Sequence, residues 1–186
     1  MRLFIAIPLP ADLAARATEI LPSALPALRR VKPENLHLTL AFLGWTPDEQ
    51  LPVVTAAARE AASGVAPFAI ELAGTGQFPE RGRPRVVWLG IAEGGPSVTE
   101  LGARVSAALR SRNLRFDDRP FSPHLTLARI PEDASAAEAR TVGAALATLE
   151  VPSLRFSVDG IAVVQSVLSP KGPRYTALST VPLAQK

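Results

Sequence analysis

The sequence predicts an α+β protein: one domain, residues 1–186, made of two similar lobes related by an internal pseudo-twofold duplication. Three observations carry this. Segments with strand-like alternation and segments with helical apolar spacing follow one another in an order that nearly repeats. The tetrapeptide "HLTL" occurs twice, each time opening on one of the chain's only two histidines, His37 and His124. No proline- or glycine-rich linker divides the chain, and 47% hydrophobic content supplies one sizeable core.

Taken in order, "RLFIAIPL" is a short apolar run of strand formers, and "PADLAARATEILPSALPAL" opens with a proline–acid helix start followed by helical spacing. "NLHLTLAFLG" alternates and stops at Gly44, as a strand does. In "TPDEQLPVVTAAAREAASG", Thr46 is the expected N-cap, Pro47 the first helical residue and Gly64 the residue after the end. "FAIELAGTG" and "RVVWLGIAE" read as two strands joined by the loop "QFPERGRP". The second round gives a helix in "GGPSVTELGARVSAALRSRN", a strand in "FSPHLTLARI" and an alanine-rich helix in "SAAEARTVGAALATLE". Two more strands follow, "LRFSVDGIAVVQSVL" and "RYTALSTVPL". Apart from the first strand, each half reads helix, HLTL strand, helix, strand, strand.

Composition removes several classes of function. There is no cysteine, hence no disulfide, thiol nucleophile or thiolate metal site. That accords with a reducing, cytoplasmic setting. No apolar run approaches the ~20 residues of a membrane span, and the N-terminal apolar stretch, broken by prolines, reads as a strand rather than a signal peptide. Net charge is +3, and seventeen of the twenty basic residues are arginine. The excess has two readings, a GC-rich genome or an anionic partner, and net charge does not choose between them.

In a strand, alternate side chains share a face, so His37 with Thr39, and His124 with Thr126, point away from the leucines that enter the core. If the two strands meet at a pseudo-twofold axis, two imidazoles and two hydroxyls converge on one cleft. Near neutral pH one imidazole can accept a proton while the other, protonated, donates one to a leaving oxygen. Threonine hydroxyls can hold non-bridging phosphate oxygens through the transition state. A cyclic phosphate is a natural target, and the chemistry requires no metal or other cofactor. A two-histidine metal site is the alternative, but no acid lies within either motif to complete a shell.

The paired H-x-T-apolar motif is the signature of the two-histidine phosphoesterase superfamily. "VKPENLHLTLAFLG", "GQFPERGRPRVVWLG", "RPFSPHLTLAR" and "VLSPKGPRYTAL" together resemble its RNA 2′,3′-cyclic phosphodiesterases, also called 2′–5′ RNA ligases. The likeness runs from "MRLFIAIPLP" almost to the C-terminus. It implies a bilobal fold, two lobes of antiparallel sheet with flanking helices around a central cleft. It further implies hydrolysis of 2′,3′-cyclic phosphates on RNA ends or nucleotides to 2′-phosphates; separately, a monomer is expected. Carried over by position, His37 is the acid that protonates the departing 3′ oxygen, His124 the base that activates water, and Thr39 and Thr126 the phosphate holders.

The resemblance also favours Arg129 as a phosphate-binding residue, although strict alternation from His124 puts it on the opposite face unless a bulge intervenes. Phe42 is a candidate for stacking on a base. Arg81, Arg83 and Arg85 lie in a loop expected at the cleft mouth, either solvated or gripping an RNA backbone. Trp88, mid-strand, is expected in the core. Tyr175 either closes the site or caps a strand layer. Two other functions use the same features: 2′–5′ ligation by the reverse chemistry, and a non-catalytic RNA-end binding module that would need only one of the histidines or neither.

Overall fold

The computed structural model describes residues 1–25, 28–170 and 172–183. Strands β1 (Arg2–Pro8), β2 (Arg29–Arg30), β3 (His37–Trp45), β4 (Phe68–Phe78), β5 (Val86–Glu93), β6 (Leu125–Arg129), β7 (Leu154–Val158), β8 (Gly160–Val167) and β9 (Arg174–Pro182) alternate with helices α1 (Ala11–Glu19), α2 (Leu51–Ala62), α3 (Gly95–Arg110) and α4 (Ala136–Ala147). All the strands join one antiparallel sheet in the order β7-β4-β5-β6-β3-β1-β8-β9, with β2 set against β6.

The two HLTL strands are neighbours at the middle of that order, touching through the single pair Leu38–Leu125. One lobe is β6-β5-β4-β7 with α4 on β4; the other is β3-β1-β8-β9, with α2 and α3 packed on each other and onto β8 and β3. Each half of the chain therefore contributes to both lobes: β4 and β5 of the first half join β6 and β7 of the second, and β1 and β3 of the first half join β8 and β9 of the second. In α2 the buried residues Val54, Ala57, Ala58, Ala61 and Ala62 follow helical spacing. Their small side chains let α3 approach, which buries Val98, Leu101, Val105 and Leu109.

β1 explains why "RLFIAIP" lacks alternation: it is buried on both faces. Leu3, Ile5 and Ile7 enter the main core beneath the helices, while Phe4 and Ala6 form a second apolar layer with Ala162 and Val164 of β8. This second layer is the floor of the cleft.

Several sequence expectations are corrected. The first helix ends at Glu19, short of Pro22, and Pro26 and Ala27 of the expected helix lie outside the described residues. Thr46 is not a helix cap: its amide bonds to Met1 O, a 3₁₀ turn spans Asp48–Gln50, and α2 begins only at Leu51. Gly64, at φ 70°, does follow the end of that helix. β3 runs through Gly44 to Trp45. The segment "LRFSVDGIAVVQSVL" is two strands divided at Asp159, because β7 pairs with β4 whereas β8 pairs with β1 and β9. β6 begins after His124, since Pro120 and Pro123 lack the N–H a ladder needs.

Candidate active site

The cleft face of the two central strands is set by their register. With Leu38 opposite Leu125, antiparallel pairing brings His37 level with Thr126 and Thr39 level with His124. Two imidazoles and two hydroxyls thus form a four-cornered cluster over the junction of the lobes. Neither hydroxyl has a protein hydrogen-bond partner among the described residues.

Each imidazole is tethered in the same way. His37 Nδ1 lies 2.7 Å from Asn35 O, and His124 Nδ1 lies 2.7 Å from Ser122 O. A carbonyl only accepts, so Nδ1 carries the proton in both rings. Nε2 is left as the nitrogen without a protein partner among the described residues, ready to accept a proton when neutral and to donate one when charged. Asn35 is itself buried, and its side-chain Nδ2 donates to Pro173 O at 2.9 Å, which fixes the loop leading to Tyr175.

The rings also sit in aromatic settings. His37 lies 4.6 Å from the Phe4 ring and 5.3 Å, edge-on, from that of Tyr175. His124 lies 4.9 Å, edge-on, from Phe78 and 6.2 Å from Trp88. Trp88 is therefore not a core residue. Val87 and Leu89 on either side of it are fully buried, which turns Trp88 to the cleft face. It lies flat on Gly76, where a Cβ would come within 2.1 Å of the indole. Its Nε1 is buried without an acceptor. Gly102 plays a similar part under the other arm of the site: a Cβ there would meet Phe121 at 2.9 Å, so glycine lets Phe121 seat the segment that carries His124.

Burial pushes both imidazoles below the ordinary histidine pKa, His37 being the more enclosed. The Arg129 guanidinium lowers both further, and His124 lowers His37 as well. Arg129 is thus within electrostatic reach of both rings, on the face that strict alternation denied it. The reason is a bulge. Thr126 pairs with Trp88 and Ala128 with Val87, so Leu127 is the extra residue and both it and Ala128 are buried. Arg129 is returned to the cleft side. β3 has the same irregularity: Thr39 pairs with Ala6 and Ala41 with Ile5, Leu40 is extra, and Phe42 is returned to the cleft side. Phe42 and Arg129 are thus equivalent positions in the two lobes, and Arg2 lies over the Phe42 ring at 5.0 Å.

Of the loop arginines, Arg83 donates to Glu132 O at 3.0 Å and to Ala134 O, tying the β4–β5 loop to the segment before α4. Arg85 faces Glu132 at 3.8 Å. Sequence reasoning missed Phe4, Phe78, Asn35 and Arg2 as neighbours of the site. One available signal was that both motifs continue identically for a fifth residue, "HLTLA", putting two apolar residues in succession where alternation should have held. A pocket of about 120 Å³ opens beside His37, lined by Phe4, Pro8, Asn35 and Tyr175 among others. Among the described residues no three His, Asp or Glu side chains gather as a metal-binding group, and no helix is long and apolar enough to cross a membrane.

A bilobal antiparallel sheet carrying one H-x-T strand in each lobe is the architecture of the two-histidine phosphoesterases. The family model of the 2′-5′ RNA ligase superfamily matches residues 9–169, and the chain belongs to that superfamily. An RNA 2′,3′-cyclic phosphodiesterase of Thermus thermophilus is 42% identical over 185 residues, covering 96% of this chain and 88% of that protein. One of Archaeoglobus fulgidus is 35% identical over 184 residues, covering 96% and 98%. Among solved structures, Escherichia coli LigT complexed with 3′-AMP superposes with a TM-score of 0.77 at 28% identity, covering 99% of this chain and 98% of that one.

Proposed function

We propose that this chain hydrolyses 2′,3′-cyclic phosphates on RNA ends or nucleotides to 2′-phosphates. The observation that carries the reading is the pair of imidazoles tethered through Nδ1, on strands whose register sets them level with Thr39 and Thr126. The relatives named RNA 2′,3′-cyclic phosphodiesterases supply the substrate class. The complex of LigT with 3′-AMP supports a nucleotide in the cleft.

In the reaction, water attacks phosphorus and passes its proton to neutral His124 Nε2. The phosphorus–O3′ bond breaks on the opposite side, and O3′ takes the proton of charged His37 Nε2. Proton exchange with solvent then resets the pair. Thr39 and Thr126 donate to the non-bridging oxygens, Arg129 balances their charge, and Phe42 offers a face to the base. Two lowered imidazole pKa values leave the empty site mostly uncharged near neutrality. An incoming phosphate anion raises both, so the substrate itself recruits the proton that His37 must donate. The two lobes are copies of one unit, supported by the matching bulges and tethers, and the enzyme works as a cytoplasmic monomer, in keeping with a cysteine-free chain. Run backwards, the same groups join a 2′-phosphate to a hydroxyl, but in dilute aqueous solution hydrolysis prevails.

The test is to incubate the protein with adenosine 2′,3′-cyclic phosphate in excess EDTA and follow the product by phosphorus NMR. The 2′-monophosphate alone is expected. No turnover in EDTA with recovery on adding Zn²⁺ or Mn²⁺, or a product that is mainly the 3′-isomer, would overturn the reading.

A further inference from the structure

Arg29 and Arg129 stand directly opposite each other across β2 and β6. Facing residues of an antiparallel pair put their side chains on the same side at close range, and like charges there are unfavourable. The neighbouring pair fixes which side. Ala128 is buried in the core, and Arg30 opposite it turns to the helix layer, donating to Leu21 O at 2.9 Å. Arg29 and Arg129 therefore share the cleft face. Both are exposed, and neither has a carboxylate or carbonyl partner among the described residues. Arg85, Arg110, Arg112, Arg119 and Arg155 face carboxylates, and Arg59, Arg81, Arg115, Arg140 and Arg174 are unpaired among the described residues, but none of these stands opposite another arginine in a strand pair. Arg129 acts on both imidazoles and on Tyr175. β6 meets β3 at Leu125 and β2 only at Ala128 and Arg129, so Arg29 lies beyond the motif junction along β6.

Two unneutralised guanidiniums in register, one beside the catalytic cluster and one beyond it, are matched by an anion that continues outward from the reacting phosphate. An RNA 3′ end leaves its terminal ribose only through O5′. We infer that Arg29, in register with Arg129 and beyond it, holds the phosphate on the 5′ side of the terminal nucleotide while Arg129 serves the reacting one, making the enzyme selective for RNA ends over 5′-hydroxyl mononucleotides. This rests on the cyclic phosphodiesterase reading, which a wild-type protein that opens none of the three cyclic phosphates below would refute before any variant is made.

The experiment compares three substrates: adenosine 2′,3′-cyclic phosphate with a 5′-hydroxyl, the same compound with a 5′-phosphate, and the dinucleotide ApA ending in a 2′,3′-cyclic phosphate. R29Q should raise KM about fivefold to tenfold for the second and third, and less than twofold for the first, with kcat unchanged. The salt dependence of KM for the dinucleotide should flatten, and R29K should restore most of the affinity. Tm at low salt should stay level or rise, because a like-charge pair has been removed. A KM change equal on all three substrates, or on none, would overturn the inference. A penalty confined to the dinucleotide would also overturn it, since Arg29 would then be reading the extra base rather than the phosphate.

Discussion

His37 and His124 occupy the same backbone in two lobes, yet their surroundings differ. Shared are the carbonyl tether on Nδ1, the threonine two residues on, the extra leucine and the return of the sixth motif residue to the cleft. Not shared are the groups that surround each ring. On the His37 side these are Phe4, Tyr175 and Phe42, over an apolar floor. On the His124 side they are Phe78, Trp88 and Arg129, with a more open imidazole. In the proposed reaction the repeated parts handle protons and phosphate, for which a symmetric pair suffices. The parts that diverge are an aromatic against a guanidinium, and they give the cleft a polarity that can hold a nucleotide one way round. A fixed ribose pose is what makes a single product isomer attainable, since in-line attack expels only the oxygen opposite the water.

The sharpest way to break this comparison is to remove the shared parts. His37→Ala and His124→Ala should each lower kcat at least about a hundredfold, the low end of a general acid–base contribution, with little change in folding. Near-normal turnover by either variant would dismiss the pair. Thr39→Val and Thr126→Val should each cost about tenfold to thirtyfold in kcat, the loss of one hydrogen bond to a charged group. Similar losses from both would support equivalent roles; a loss from one alone would make the cluster functionally one-sided.

The divergent parts should act on binding instead. Arg129→Gln should raise KM about tenfold and shift both histidine titrations upward, because the guanidinium that disfavours charged imidazoles is gone. A fall in kcat with unchanged KM would contradict that assignment. The smallest effect is on stability. Burial holds the folded-state pKa of His37 below its unfolded value near 6.5. As pH falls through about 6.5 the unfolded chain takes up a proton that the folded chain resists. The corresponding stability is whole above that value and lost as pH drops towards the folded pKa. The unfolding free energy should decline from pH 7.5 to 5, this residue contributing no more than about 1.4 kcal/mol per pH unit, and His37→Gln should flatten the decline. An unchanged slope in the variant would mean that His37 is not depressed.

The legible part of the molecule was what local pattern determines. Proline, glycine and apolar period located every helix and most strands, and the repeated tetrapeptide located both imidazoles and both hydroxyls. What escaped was set by long-range pairing. The alternation in "LRFSVDGIAVVQSV" carries straight across Asp159, and only the partners β4 and β1 divide it. Two-residue β2 has no period to read, and its place is fixed by β6. Phe4 reaches His37 because β1 lies beside β3, and Tyr175 because β9 lies two strands farther out, on β8. Arg129 was ambiguous for a local reason: one extra residue reverses every later side chain, and a single alternation count cannot see it.

The two tethered imidazoles should act as a coupled pair, and with only two histidines in the chain this can be watched by long-range ¹H–¹⁵N NMR. The titration is run on the free protein and with bound adenosine 2′-monophosphate, using His37→Gln to assign the signals. The neutral rings should both carry their proton on Nδ1, both should titrate below 6.5 in the free protein, and the nucleotide should raise both values. Rings protonated on Nε2, or two independent titrations at the ordinary value that ignore the nucleotide, would contradict it.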